Sequence, residues 1–187
     1  MEMTSTRIVP APVDTVWAAL NDPVMLTGCI PGCDAILPDG ENAYRIAMAA
    51  KVGPVAAKFS GRLELSELDP PHRYTLTFDG QGGAAGFAKG QAKVALAPAE
   101  NGAATTLSYA VTAQVGGKIA QIGSRLVDGA AQKLADDFFG RFTDAVAAKV
   151  GAAPVVAAPR ARRRWVRLVA LALIAGLIAY LMLRMRK

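Results

Sequence analysis

The chain has 187 residues, enough for one ordinary domain and an appendage, and its 52% apolar and 19% charged composition supports a packed core and excludes wholesale disorder. All 15 acidic residues precede position 160, against 13 of the 21 basic ones, so residues 1–159 carry a formal −2 and residues 160–187 a formal +8. The basic character belongs to the tail; a nucleic-acid partner needs a basic face on the folded module and is not expected.

The opening MEMTSTRIVPAPVD lacks the basic start and apolar run of a secretory signal, so the body is expected in the cytoplasm with reduced thiols. Residues 4–9 (TSTRIV) read as a first strand. Pro12 at a helix start, followed by VDTVWAAL, predicts a short helix burying Val13, Val16, Trp17 and Leu20. Asn21-Asp22-Pro23 stops it and can begin another turn, VMLTGCI, before a rigid turn at Ile30-Pro31-Gly32-Cys33. A zinc site would need more ligands than Cys29, Cys33 and the only histidine, His72, so no metal is expected. The two cysteines read as small buried side chains rather than nucleophiles.

Period-two alternation follows. Tyr44, Ile46 and Met48 share one face, as do Phe59, Gly61, Leu63 and Leu65, while Lys58, Arg62 and Glu64 point the other way. Tyr74, Leu76 and Phe78 oppose Arg73, Thr75, Thr77 and Asp79; Ala88, Gly90, Ala92, Val94 and Leu96 oppose Lys89, Gln91 and Lys93; Leu107, Tyr109 and Val111 end the series. Turn signals fall at Pro38-Asp39-Gly40, Val52-Gly53-Pro54, Asp69-Pro70-Pro71, Gly80 to Gly86 and Asn101-Gly102. This predicts an antiparallel meander with one dry face and one wet face. Gly116-Gly117 then opens a predicted helix from Lys118 to Val150, with an apolar stripe of Ile119, Ile122, Leu126, Ala130, Leu134, Phe138, Phe142 and Ala145 to cover the dry face. Strand, two short helices, six strands and a long helix make an α+β fold over residues 1–150. The small residues Ala47, Ala49, Gly61, Ala88, Gly90 and Ala92 leave two options, a cavity under the helix or a tightly packed core.

Residues 151–164 form an Ala/Pro/Arg-rich linker. From Leu168 to Leu183 sixteen residues carry no charge, and with Trp165 and Val166 the stretch reaches nineteen, broken only by Arg167. At about 1.5 Å per residue such a helix is ~24–28 Å long, close to the ~30 Å hydrocarbon core, and its flanking arginines can snorkel to the interfaces. Residues 165–183 are therefore expected to be a single C-terminal transmembrane anchor of a tail-anchored protein. Five positive charges on its N-terminal side against three on the other place the globular domain on the cytoplasmic side of the cytoplasmic membrane.

Catalytic signatures are missing. Gly80 to Gly86 is followed by an alternating strand, not a helix, so it reads as a hairpin turn and not a phosphate loop. There is no GxSxG, HExxH or paired-carboxylate motif; His72 sits in a turn, and Asp136-Asp137 occupy adjacent, diverging helix positions. An enzyme is not expected.

The order of elements resembles the START/Bet v 1 helix-grip (SRPBCC) superfamily. More closely, VWAALNDPVMLTGCIPGCD (16–34), KVGPVAAKFSGRLEL (51–65), GQGGAAGFAKGQAKVAL (80–96), VGGKIAQIGSRL (115–126) and FFGRF (138–142) resemble the CoxG family of carbon monoxide dehydrogenase subunits. The resemblance implies a non-catalytic accessory protein of electron transport, which recruits a molybdenum-containing carbon monoxide dehydrogenase, or a related molybdenum hydroxylase, to the membrane. It also implies a hydrophobic ligand, with a respiratory quinone (menaquinone or ubiquinone) shuttled by lipid transfer between bilayer and enzyme. The lining is then expected from Trp17, Met48, Phe59, Leu63, Leu76, Phe78, Phe87, Ile119, Ile122, Leu126 and Phe138. The rim is expected where three loops converge, at Cys29, Pro31 and Gly32, at Gly80, Gly82, Gly83 and Gly86, and at Gly116 and Gly117. The alternative is a purely structural anchor that docks the dehydrogenase with no ligand. A chain ending at residue 159 is expected in the soluble fraction after cell fractionation; its recovery with membranes would contradict the anchor.

Overall fold

A computed structural model describes residues 1–52 and 55–151. The expected anchor, and the linker beyond Gly151, lie outside the described residues. Among those described, no helix is long and apolar enough to cross a membrane.

The chain folds as β1 (Glu2–Val9), α1 (Val13–Leu20), α2 (Pro23–Cys29), β2 (Cys33–Pro38), β3 (Ala43–Val52), β4 (Val55–Asp69), β5 (Arg73–Gln81), β6 (Phe87–Ala99), β7 (Ala104–Gly116) and α3 (Ser124–Val150). The strands form one antiparallel sheet in the order β1-β7-β6-β5-β4-β3-β2. From β2 to β7 it is the expected meander; β1 returns to pair along β7, with Glu2 opposite Thr112 and Val9 opposite Thr105. The two edges are thus β1 and β2, and β2 is short, with its pairing shifted between Cys33 and Ala35.

Alternation sets which face is dry. Tyr74, Leu76 and Phe78 on β5, Ala88, Ala92, Val94 and Leu96 on β6, and Leu107, Tyr109 and Val111 on β7 are all buried, while their alternate neighbours, Thr75 apart, are mostly exposed. α1 and α2 follow β1 with almost no loop. Asp22 caps α2, accepting from the Val24 and Met25 N–H groups at 3.0 and 3.2 Å, and Pro23 occupies its first turn.

The long helix departs from expectation at its start and in its phase. Gly116-Gly117 does not open it. β7 runs on to Gly116, a 3₁₀ turn occupies Ala120–Ile122, and α3 begins only after Gly123, whose φ of +93° no helix continues through. Its buried face is Val127, Ala131, Ala135, Phe138, Phe142 and Val146, flanked by Phe139 and Ala147. Leu126, one position out of phase with this face, is 59% exposed. Ala131 and Ala135 keep that stretch of the helix slim against the sheet, and the aromatic residues fill the space further along.

The small inner residues of β6 also have an explanation different from a hollow. A Cβ added at Gly90 would lie 2.6 Å from Phe78 Cζ and 2.2 Å from the Thr112 carbonyl oxygen. The Phe78 ring therefore lies over Gly90, and the room vacated on β6 is taken by an aromatic ring from β5. Gly90→Ala is expected to cost about 1–3 kcal/mol through overpacking. Gly129→Ala, in the helix interior with nothing within 4 Å of the added methyl, is expected to raise stability by about 0.5–1 kcal/mol. Urea denaturation of both variants checks the pair.

Candidate ligand site

Among the described residues an apolar cleft penetrates the interior, between the α1–α2 corner, α3 and strands β2 to β5. Its lining is Leu20, Asn21, Pro23, Leu26, Ile30, Ile36, Tyr44, Leu63, Leu65, Tyr74, Leu76 and Phe138, and its volume is about 50 Å³. That is room for one or two water molecules, far below the roughly 300–1,000 Å³ of pockets that enclose small ligands. Asn21, Pro23, Leu26, Tyr44, Leu63 and Leu65 are half-buried and mark where the cleft nears the surface. The helix corner is its lid. The Asn21 side-chain amide donates to the Trp17 carbonyl at 2.9 Å, and Lys149, in the last turn of α3, reaches Asp22 at 3.3 Å.

The cleft surface is almost wholly apolar, and Asn21, Tyr44 and Tyr74 are the lining residues whose side chains carry a polar group. Tyr74 is buried, its ring meets Trp17 edge-on with centroids 5.5 Å apart, and its hydroxyl has no hydrogen-bond partner among the described residues. A buried hydroxyl without a partner costs about 1–3 kcal/mol. Burial pushes its pKa up, so it stays protonated and available as a donor.

Of the lining expected from sequence, Leu63, Leu76 and Phe138 border this cleft, and Trp17 stands behind Tyr74. Met48, Phe59 and Phe78 are fully packed core; Ile119 is buried and Ile122 half-buried, and none of these touches the cleft. Leu126 and Phe87 do not face the interior: they are 59% and 39% exposed. Phe87 instead flanks a separate open groove with Met1, Val115 and Val127.

Two of the three glycine loops meet closely. A Cβ at Gly117 would lie 2.5 Å from Gly86 Cα, and the Lys118 N–H donates to the Ala85 carbonyl at 3.0 Å. Gly116 lies under the Phe87 ring, and Gly82 and Gly83 fold with Gly86 into a tight turn in which the Gly82 N–H donates to the Gly86 carbonyl. Pro31 and Gly32 lead instead onto β3, where the Ala49 N–H donates to Gly32 at 2.7 Å. On β5 the cleft touches Tyr74 and Leu76 but not Phe78 or Gly80, so it lies toward the strand end opposite these loops. The corner residues Asn21, Pro23 and Leu26 carry no pattern that separates a cleft lid from a core helix; the inward parity of Tyr44 and Tyr74 is legible, their position beneath that corner is not.

Neither thiol is activated. Cys29 and Cys33 are free; burial raises the pKa of Cys29 and pushes Cys33 up to about 11. Asp136 pairs with Arg7 of β1, and Asp137 with Lys133 at 2.6 Å. On the outer face of the sheet an open groove of about 940 Å³ is lined by polar groups including Thr4, Thr6, Lys93 and Ser108.

The sequence profile of the CoxG family of carbon monoxide dehydrogenase subunits matches residues 6–147. No curated protein matches the chain. Among solved structures, a conserved protein from Geobacillus kaustophilus is 32% identical with a TM-score of 0.75, over 80% of this chain and 97% of that one. The Zhui aromatase/cyclase from Streptomyces sp. R1128 is 14% identical with a TM-score of 0.59, over 82% of this chain and 99% of that one. Ara h 8.0201 is 16% identical with a TM-score of 0.59, over 79% and 98%. At such identities the last two speak to the fold alone, which is the Bet v 1-like helix-grip fold.

The lid carries a pH dependence. The Met25 N–H is the largest influence on the Asp22 carboxyl; burial opposes it, Lys149 and the Val24 N–H assist, and the net effect lowers the pKa below 3.8. The carboxylate's contribution is therefore complete above the unfolded value and lost as pH falls through the lowered one. Asp22→Ala is expected to cost about 0.5–2 kcal/mol at neutral pH. Melts between pH 7 and pH 3 should show the difference from the parent chain shrinking at the acid end.

Proposed function

The chain belongs to the CoxG family of carbon monoxide dehydrogenase subunits, and from that premise we propose that it is a membrane-associated accessory protein that carries a respiratory quinone, menaquinone or ubiquinone, to a molybdenum-containing carbon monoxide dehydrogenase or a related molybdenum hydroxylase. The family's name ties it to a carbon monoxide dehydrogenase. The finer statement is carried by one observation: the apolar cleft beneath α1–α2, floored by Leu63, Leu76 and Phe138. A prenyl chain in the bilayer is already in apolar surroundings. Leaving it in water would cost ~0.8 kcal/mol per CH₂, so a carrier has only to match the lipid, and a dry cleft does so.

At about 50 Å³ the cleft is closed, and loading requires the lid to swing out. The corner suits such a movement. It is bounded by Asn21-Asp22 between the helices and by Ile30 to Gly32 after them, and its packing against α3 is supplemented by a surface ion pair, Lys149–Asp22. The mouth opens beside the C-terminal end of α3, from which the chain continues toward the stretch read as an anchor. The dehydrogenase's electrons must reach a lipid-soluble acceptor, and a head tethered at this end would present its opening to the bilayer.

A docking post without ligand is the second reading, and the filled interior around Phe59, Phe78 and Phe142 favours it. Lipid extraction and mass spectrometry of the chain purified from membranes separate the two. Copurified quinone, or saturable uptake of added quinone, is the expected result; clean protein that takes up none leaves the docking post.

A further inference from the structure

We propose that the Tyr74 hydroxyl is the polar contact that selects the cleft's ligand: it donates a hydrogen bond to a carbonyl oxygen on an otherwise apolar molecule. This rests on the reading of the cleft as a quinone site and adds the residue that recognises the head.

Ser5, Tyr109, Val94 and Tyr74 lie side by side across the inner face on β1, β7, β6 and β5. Both tyrosine hydroxyls are buried without a hydrogen-bond partner among the described residues, and they differ in their surroundings. Ser5 and Arg7 stand beside the Tyr109 hydroxyl, Arg7 pairs with Asp136, and Phe139 stacks on the Tyr109 ring. That end is a polar cluster closed over by α3.

Tyr74 has apolar neighbours instead: Trp17 against its ring, with Leu76 and Phe138 along the same cleft wall. Its hydroxyl is buried and has no partner among the described residues. The nearby Asn21 amide N–H₂ is engaged with the Trp17 carbonyl. Tyr74 thus lines the cleft, and its enclosed hydroxyl is a neutral donor with no partner among the described residues. A ligand of pure hydrocarbon leaves that donor unmade; a carbonyl-bearing ring satisfies it, and the apolar walls take the rest. Discrimination of this kind comes from the group left unpaired when the wrong ligand binds.

The experiment uses the full chain in lipid nanodiscs with Trp165→Phe, so that Trp17 is the one remaining indole of the two in the sequence. Quenching of Trp17 by decylubiquinone reads occupancy, and squalene, a prenyl hydrocarbon without a carbonyl, serves as competitor. Tyr74→Phe is expected to weaken decylubiquinone roughly five- to tenfold, the worth of one neutral hydrogen bond, and to leave competition by squalene unchanged. Without ligand the variant should melt at or above the parent's temperature, since it loses a hydroxyl with no partner. Equal affinity for decylubiquinone, or equal weakening of both probes, overturns the proposal while the carrier stands. A clear loss of stability in the ligand-free variant also overturns it, because the hydroxyl then has a partner inside the protein. No saturable quenching in the parent chain removes the carrier reading and this proposal together.

Discussion

One helix has to cover one side of seven strands. α3 meets that constraint by placing alanines at 131 and 135 and phenylalanines at 138, 139 and 142, so that the helix is slim near its start and bulky further along. The sheet answers with the reverse gradient at one point, where β6 retreats to Gly90 and the Phe78 ring takes its place. The position of the cleft follows. It lies beside Phe138 of α3 and short of the Phe78 ring, and among the described residues the two short helices inserted between β1 and β2 cap it.

Much of this was legible before any coordinates. Period-two alternation on β3 to β7 is a direct readout of burial, because a strand with one dry face has no other way to distribute its apolar side chains. The hairpin at Gly80 to Gly86 followed from the alternating residues after it. The order of elements resembled helix-grip proteins, and the family profile and the Geobacillus kaustophilus structure agree with that resemblance. The phase of α3 was harder. The sequence from Ile119 onward offers two apolar series one residue apart, through Leu126 and through Val127, and the bulkier one misleads. Tertiary fit chose the series with Ala131 and Ala135, whose small size is the advantage that hydrophobicity ranking counts against them.

The site was legible in part. Leu63, Leu76 and Phe138 are strand and helix residues of inward parity, and they border the cleft as such residues can. The glycines of the loops are expected at a pocket rim, yet at Gly32 and Gly117 an added Cβ would sit 2.0 Å from the Ala49 oxygen and 2.5 Å from Gly86 Cα. Glycine serves close approach as often as freedom, and sequence does not tell the two apart. Burial pushes the thiols of Cys29 and Cys33 and the phenol of Tyr74 toward their neutral forms, and at the surface Asp136 and Asp137 are each held in an ion pair.

The strand order leaves two margins of backbone unpaired, and each is made a poor template for further strands. β2 has six residues, a register shift at Cys33–Ala35, and a proline at its end that donates no hydrogen bond. β1 has eight residues, and the helices that follow turn the chain away within three residues of Val9. Growth of the sheet by accretion of neighbouring molecules is disfavoured at both sides.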